Sequence, residues 1–269
     1  MAPDSSPAVI YRHRLPVRIM HWINVVCVLA LLGSGLQIFN AHPALYWGKD
    51  SRPQTRVLEI GQRRDGGALV GVTRIGDREF VTDGVLGMSR GPDGSVLPQA
   101  FPPWATIPGS QWLAMGRMWH FFFAWLFVLN GVAYLLWTVF SGHLRHDLVP
   151  TGREWRGIGR SVVDHLLLRH PTGQDARRYN VLQNIAYLSI VFIVLPLIVV
   201  CGMAMSPRLD AVFPGWVDWL GGRQAARTLH FAGALLLVGF VLVHLFEVVV
   251  TGLANNLRSM LTGYWRIPR

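Results

Sequence analysis

Long apolar segments dominate the pattern of this 269-residue chain. Each has about the 20 residues that a helix needs to cross the hydrocarbon core of a bilayer. The rest of the chain is far more polar, and no internal repeat is visible. The pattern predicts an all-α fold, a four-helix bundle integral to a membrane. The predicted spans are residues 19–39, 118–140, 185–205 and 229–251.

The first span has a second interpretation, because it follows the basic stretch RHRLPVR. A basic stretch before an apolar run is typical of a cleaved signal peptide, whose apolar core has about 7–15 residues. The run here is longer than that and begins with a histidine. Its length favours a membrane span.

A long connection, residues 41–117, separates the first two spans. Short β-branched runs alternate in it with glycine and aspartate turns, as in GGALVGVTRIG. This alternation predicts a small β-rich cap. Four prolines then favour an extended strap that returns to the membrane; they are Pro98, Pro102, Pro103 and Pro108. The cap is either a lid over the bundle or a docking surface for a partner, and periodicity does not distinguish the two.

Charge gives the predicted orientation. The chain has 15% charged residues and a net charge of +10, whereas soluble proteins have about 25% charged residues. The arginines lie between the apolar runs, which argues against nucleic-acid binding. The segment before the first span, the loop between the second and third spans, and the tail after the fourth carry three, seven and three arginines. The positive-inside rule therefore places both termini in the cytoplasm and residues 41–117 outside it.

The two cysteines, Cys27 and Cys201, both lie in apolar runs, and the sequence has no CxxC motif. This pattern argues against covalently attached c-type haem and cysteine-ligated iron–sulfur clusters.

Ionisable side chains within membrane spans are costly and usually mark functional sites. Six of the ten histidines lie in connections or tails, and four lie in spans: His21, His120, His230 and His244. The last two are 14 residues apart on one helix, so they are separated by about 21 Å and lie on roughly the same face. Because the spans alternate in direction, His244 should be level with His21, and His230 with His120.

Each level should therefore hold two histidines on different helices. Two facing imidazoles suit a planar tetrapyrrole, since each supplies one axial nitrogen to the iron. A six-coordinate haem has no open position for substrate, which favours electron transfer. Zinc is a weaker alternative because it needs three or four ligands together. Histidines at span ends can also be interfacial side chains without a ligand.

Three arginines each stand three residues before a histidine that opens a span, and residues at this spacing share a helix face. They are Arg18, Arg117 and Arg227. They are predicted to bind the anionic haem propionates. The alternative is that they only extend toward the membrane surface, as arginines at span ends commonly do.

The motifs around the four histidines resemble a known family. RIMHW, GRMWHFFFAW, RTLHF and LVHLF are similar to the membrane-anchored di-haem cytochrome b subunits of the bacterial b561, formate dehydrogenase gamma and nickel–iron hydrogenase type. The resemblance implies two b haems in the bacterial inner membrane. It also implies that His21 pairs with His244 and that His120 pairs with His230.

A segment before the third span, RRYNVLQ, resembles the Tyr/Phe-Asn-x-x-Gln stretch that lines a quinone site in that family. The matching residues are Asn180 and Gln183, while Leu182 departs from the glycine that relatives often have. Amides at a helix start also serve as caps, which is the simpler explanation.

The sequence predicts transmembrane electron transfer between the quinone pool and a periplasmic oxidoreductase partner. ALYWG and GGRQAARTLHF resemble a subgroup that accompanies molybdopterin oxidoreductases of the sulfite-oxidase type. Two alternatives are a stand-alone cytochrome that reacts with superoxide or quinone, and a non-redox membrane carrier or assembly factor.

Overall fold

The computed structural model describes residues 9–91, 93–109, 111–142, 149–150, 152–167 and 181–267. Over these residues the chain is mostly helical, with small sheets. Helices long and apolar enough to cross a membrane coincide with all four predicted spans, although each begins several residues earlier than predicted. They are α1 (Leu15–Asn40), α2 (Leu113–Phe140), the interrupted helix Val181–Ala204 and α8 (Arg223–Val250).

The interrupted helix consists of α5 (Val181–Ser189), a π-helical turn over Ile190–Val194, and α6 (Leu195–Ala204). Pro196 lies just after the turn. Proline has no N–H, and its ring clashes with the carbonyl four residues earlier in an α-helix. The wider turn, in which the Leu195 N–H donates to the Ile190 carbonyl, accommodates the proline within the span.

The shorter elements lie at the ends of these helices or between them. They are β1 (Val9–Tyr11), β2 (Ala44–Tyr46), β3 (Arg56–Asp65), β4 (Ala68–Ile75), β5 (Arg78–Val81), β6 (Ser89–Arg90), β7 (Val96–Leu97), α3 (Gly152–Arg156), α4 (Ile158–Leu166), α7 (Pro207–Val212), α9 (Leu253–Thr262) and β8 (Tyr264–Arg266).

The chain divides into two compact units. The terminal unit combines Met1–Ile23, Leu129–Pro196 and Leu235–Arg269. The sheet unit combines Asn24–Val128 and Leu197–Ala234. Within the terminal unit, β1 and β8 pair as a two-stranded antiparallel ribbon, with Ile10 opposite Trp265.

The 41–117 segment of the sheet unit contains the predicted β structure. Strands β2, β3, β4 and β5 form one antiparallel sheet in that order. The β3–β4 hairpin turns at Gly66 and Gly67, whose φ values of +55° and +91° suit the tight turn that right-twisted strands require. The strap runs beside α1, because the Ile107 N–H donates to the Gly33 carbonyl at 3.2 Å.

A small apolar core joins this sheet to helix ends of the same unit. Its buried members are Phe39, Leu45, Ile60 and Ala100, and Phe231 of α8 packs against them. The ring of Phe39 lies 4.9 Å from that of Phe231. This core holds the sheet against the end of α1 and the beginning of α8, which both belong to the sheet unit.

Candidate functional site

The first histidine pair lies in the terminal unit. His21 of α1 and His244 of α8 have ring centroids 6.3 Å apart, with planes inclined by 60°. Aromatic rings support both sides: Trp22 meets His21 edge-on at 5.5 Å, and Phe240 stacks on His244 at 6.1 Å. The two rings are therefore packed into defined orientations.

The second pair lies in the sheet unit. His120 of α2 and His230 of α8 have ring centroids 6.2 Å apart, with planes inclined by 62°. Helix α8 is continuous from Arg223 to Val250, so one helix supplies one histidine to each pair. The two pairs have nearly the same geometry.

This spacing fits a single metal ion between two imidazoles. A ring nitrogen binds a metal at about 2.0–2.1 Å, so the centroids of two rings on opposite sides of one ion lie roughly 6 Å apart. Among the described residues, no group of three or more His, Cys, Asp or Glu could hold a metal ion. Two imidazoles alone suit an ion whose remaining ligands come from a tetrapyrrole, whereas a protein zinc site needs more side chains.

The hydrogen bond of His230 assigns its ring protons. Its Nδ1 lies 2.8 Å from the carbonyl oxygen of Ile198, which can only accept a hydrogen bond. The proton is therefore on Nδ1, and Nε2 keeps the lone pair that a metal needs. Such a bond also fixes the ring orientation and makes the nitrogen ligand more basic.

His120 has the same proton arrangement through Ser34. The Ser34 hydroxyl donates to the Ala30 carbonyl at 2.6 Å, so its oxygen accepts from Nδ1 of His120 at 3.1 Å. Ser34 is fully buried, which keeps water from replacing it. Nε2 of His120 is thus also left with its lone pair.

Two glycines give these rings room. A Cβ on Gly202 would lie 3.3 Å from Cε1 of His230, and one on Gly35 would lie 3.5 Å from Cε1 of His120. The His21–His244 pair differs, since Nδ1 of His21 is buried without a hydrogen-bond partner among the described residues.

Each of the three predicted propionate arginines has a contact within the chain. Arg227 donates to the carbonyls of His42 and Ala44 and lies over the Phe39 ring. Arg18 donates to the Leu261 carbonyl, and Arg117 lies 6.0 Å from the centre of the Phe121 ring. Arg227 therefore holds the loop before β2 against α8, a role that the sequence did not indicate.

The same loop contains a histidine with a perturbed pKa. Burial lowers the pKa of His42, the Arg227 guanidinium lowers it further, and Glu59 partly opposes both effects. The neutral form is therefore favoured beside Arg227.

Of the two predicted quinone residues, Asn180 lies outside the described residues, and Gln183 lies on α5. The sequence reasoning missed Asn184. This residue is 5% exposed, and its Oδ1 has no hydrogen-bond partner among the described residues. Tyr187, three residues later, meets Phe240 edge-on at 6.1 Å, and Phe240 stacks on His244. The second asparagine of NVLQNIAY was the available signal.

Comparisons with known proteins agree with this architecture. The profile of the prokaryotic cytochrome b561 family matches residues 12–263. A curated relative, the putative protein-methionine-sulfoxide reductase subunit YedZ1 of Azospira oryzae, is 28% identical over 250 residues, which cover 92% of this chain and 94% of the relative. No solved structure gives a significant match.

The family match covers nearly the whole chain and implies b-type haem. With its four apolar helices, the chain is a multi-pass membrane protein that serves as a b-type cytochrome electron-transfer subunit. It belongs to the prokaryotic cytochrome b561 family.

Proposed function

We propose that this protein holds two b haems and carries electrons across the bacterial inner membrane. His21 and His244 would hold the inner haem, on the cytoplasmic side, and His120 and His230 would hold the outer haem, on the opposite side. The observation that carries the proposal is the centroid spacing of 6.3 Å and 6.2 Å in the two pairs. A bis-histidine haem supplies a reversible one-electron centre without an open coordination position.

The protein's own groups position these ligands. Ser34 and the Ile198 carbonyl each accept an Nδ1–H, at 3.1 Å and 2.8 Å, and so direct Nε2 toward the metal. Buried hydrogen bonds of this kind increase the electron-donating strength of the imidazole and tune the potential. Phe240 holds His244 by stacking instead.

Electrons pass between the quinone pool and a periplasmic oxidoreductase of the molybdopterin type. The Azospira oryzae relative is named as a reductase subunit, which supports such a partner. All four residues of β5 are exposed at the edge of the four-stranded sheet. An exposed edge strand offers unpaired backbone groups for docking, which favours the sheet as the partner's contact surface.

The quinone site lies on α5, near the inner haem ligands. Among the described residues, the Oδ1 of Asn184 is a buried acceptor without a partner, and a buried unpaired acceptor costs about 1–3 kcal/mol. A quinol hydroxyl that donates to this oxygen would remove that cost. Asn180 and Gln183 are the further amides predicted for the site. The ring contacts from Tyr187 through Phe240 to His244 connect it to the inner haem.

Single histidine substitutions test the ligand assignment. We expect His244→Ala and His230→Ala each to purify with one haem per chain where the parent has two, because each removes one axial ligand. His42→Ala is the matched control, since His42 lies outside the spans and stacks on Tyr46. Haem is counted as pyridine haemochrome.

Imidazole added during purification should restore the lost haem, because the deleted side chain leaves space for the free ligand. A folded His244→Ala protein that keeps both haems and an unchanged low-spin spectrum contradicts the assignment.

The quinone assignment is tested separately by the rate at which a quinol reduces the haems. Asn184→Leu should slow this rate at low quinol concentration and leave the haem count at the parental value. Asn130→Leu is the control, because Asn130 is another buried span amide but donates to the Met20 carbonyl. Equal quinol kinetics in parent and Asn184→Leu would refute the role of Asn184.

A further inference from the structure

Helix α9 of the terminal unit has its apolar face outward. Leu253, Leu257 and Leu261 are 46%, 40% and 60% exposed, and residues four apart lie on one face of a helix. The opposite face is polar, and its Ser259 is buried. A helix at a protein–water surface has the reverse arrangement, so this leucine face requires an apolar surrounding.

The polar face fixes this orientation. The Asn256 amide donates to the Val248 carbonyl at 3.1 Å and to the Thr251 hydroxyl at 2.8 Å. The Asn255 side chain exchanges two hydrogen bonds with the backbone of Arg266, at 2.7 Å and 2.9 Å. These bonds tie α9 to the end of α8 and to β8.

Helix α1 holds the other end of α9. The Arg18 guanidinium donates to the Leu261 carbonyl, and Trp22 Nε1 donates to the Met260 carbonyl at 3.3 Å. The last carbonyls of a helix lack intrahelical donors and form the negative end of its dipole. Arg18 therefore supplies a hydrogen-bond donor to one of these carbonyls and a positive charge to the negative end of the dipole. Helix α9 cannot rotate to bury its leucines without breaking these bonds.

The leucine face adjoins apolar surface that already faces lipid. Helix α8 spans the membrane, and its last two turns expose Phe246, Val249 and Val250. Only Thr251 and Gly252 separate α8 from α9. The exposed apolar surface thus runs from the span to the helix that follows it.

The charged side chains of the two segments around α9 are all positive. Residues 9–23 and 251–267 contain no Asp or Glu. Arg12, which lies 4.4 Å from the centre of the Trp265 ring, belongs to the paired strands next to α9. The other basic residues of these two segments are Arg14, Arg18, Arg258 and Arg266.

We infer that α9 and the β1–β8 ribbon form an interfacial anchor that binds anionic phospholipid. The leucine face lies among acyl chains at the edge of the leaflet where α8 ends, and the exposed Arg14 and Arg266 bind the lipid phosphates. A leucine face flanked by arginines is the composition of helices that lie in the plane of anionic membranes. The inference rests on the membrane spans and is independent of the haem and quinone assignments.

A spin label at Leu257→Cys tests where the leucine face lies. The native Cys27 and Cys201 are both fully buried, so the label attaches at the new cysteine. In vesicles that contain phosphatidylglycerol, we expect the label to collide more with oxygen, which concentrates in lipid, than with a water-soluble nickel chelate. Val81→Cys on β5, where Val81 is 65% exposed, is the control and should show the reverse.

Two results would overturn the inference. Preferential collision with the nickel chelate would place the leucine face in water. Low collision with both reagents would place it against protein, such as a second copy of this chain.

The charge preference is tested on the detergent-solubilised holoprotein by adding phosphatidylglycerol or phosphatidylcholine. Phosphatidylglycerol should raise the thermal unfolding temperature at lower concentration. Arg14→Gln combined with Arg266→Gln should increase the half-effect concentration by roughly 25-fold, about fivefold per arginine. Arg64→Gln combined with Arg78→Gln, on the sheet, should leave it unchanged. Equal effects of the two lipids, or no change in the Arg14/Arg266 variant, would reject anionic lipid binding.

Discussion

Ser34→Ala is the sharpest test of how the chain prepares a haem ligand. Ser34 lies on α1 and is fully buried, and its hydroxyl accepts from Nδ1 of His120 at 3.1 Å. Alanine removes one oxygen and leaves the helix backbone unchanged. The buried Nδ1 of His120 then loses the hydroxyl oxygen of Ser34 and keeps the Leu31 carbonyl as its hydrogen-bond acceptor.

The expected cost follows from that lost bond. A hydrogen bond within a protein contributes about 0.5–1.5 kcal/mol net to stability. Loss of a hydrogen bond to a metal-binding histidine typically weakens metal binding by roughly 10–100-fold. The His120–His230 site should therefore lose haem faster than in the parent, and its midpoint potential should rise because the ligand becomes a weaker electron donor. The His21–His244 site should be unaffected.

Haem transfer to excess apomyoglobin measures this loss, and a redox titration gives the potentials. Thr138→Val is the matched control, since Thr138 is a buried hydroxyl residue of α2 whose oxygen, among the described residues, forms no hydrogen bond to a histidine of either pair. If Ser34→Ala releases haem at the parental rate and keeps both potentials, the Ser34–His120 bond has no role in ligation.

Two further perturbations address the same unit. Gly202→Ala places a Cβ 3.3 Å from the His230 ring and should shift the spectrum of that haem. Gly239→Ala should not, because its Cβ would meet no described atom within 4 Å beyond the backbone of its own helix turns. Equal spectra of the Gly202→Ala protein and the parent would show that the ring tolerates the methyl group. Burial and Arg227 lower the pKa of His42 in the folded protein. On acidification the unfolded chain therefore binds a proton at this histidine at a higher pH than the folded chain does. The free energy of unfolding consequently falls as the pH drops below about 6.5. His42→Gln should therefore lose less thermal stability than the parent between about pH 7.5 and about pH 5.5, and an identical loss would contradict this reason.

Much of the helical architecture could be predicted because bilayer thickness imposes a length on apolar runs. The four spans agree with the observed helices, and the predicted β structure is present between α1 and α2. The rings of His21 and His244 lie together, as do those of His120 and His230, because depth and helix periodicity limit which histidines can meet. Their role as haem ligands stays a prediction.

Other features depend on contacts that periodicity does not encode. The strand β2 is only three residues long and is defined by its pairing with β3. The π-helical turn before Pro196 depends on how the span accommodates a missing N–H. Arg227 was predicted from its spacing to bind a propionate, yet its partners in the structure are carbonyls 183 and 185 residues away in sequence. Hydrogen bonds between such distant residues cannot be read from local patterns.

The central claim is that two histidine pairs hold two b haems. The most direct measurement is the reduced-minus-oxidised visible spectrum of the protein purified after expression with ample haem, with haem per chain counted as pyridine haemochrome. The account predicts a b-type α-band and two haems per chain. A colourless protein, or one haem per chain that survives loss of either pair, would contradict it.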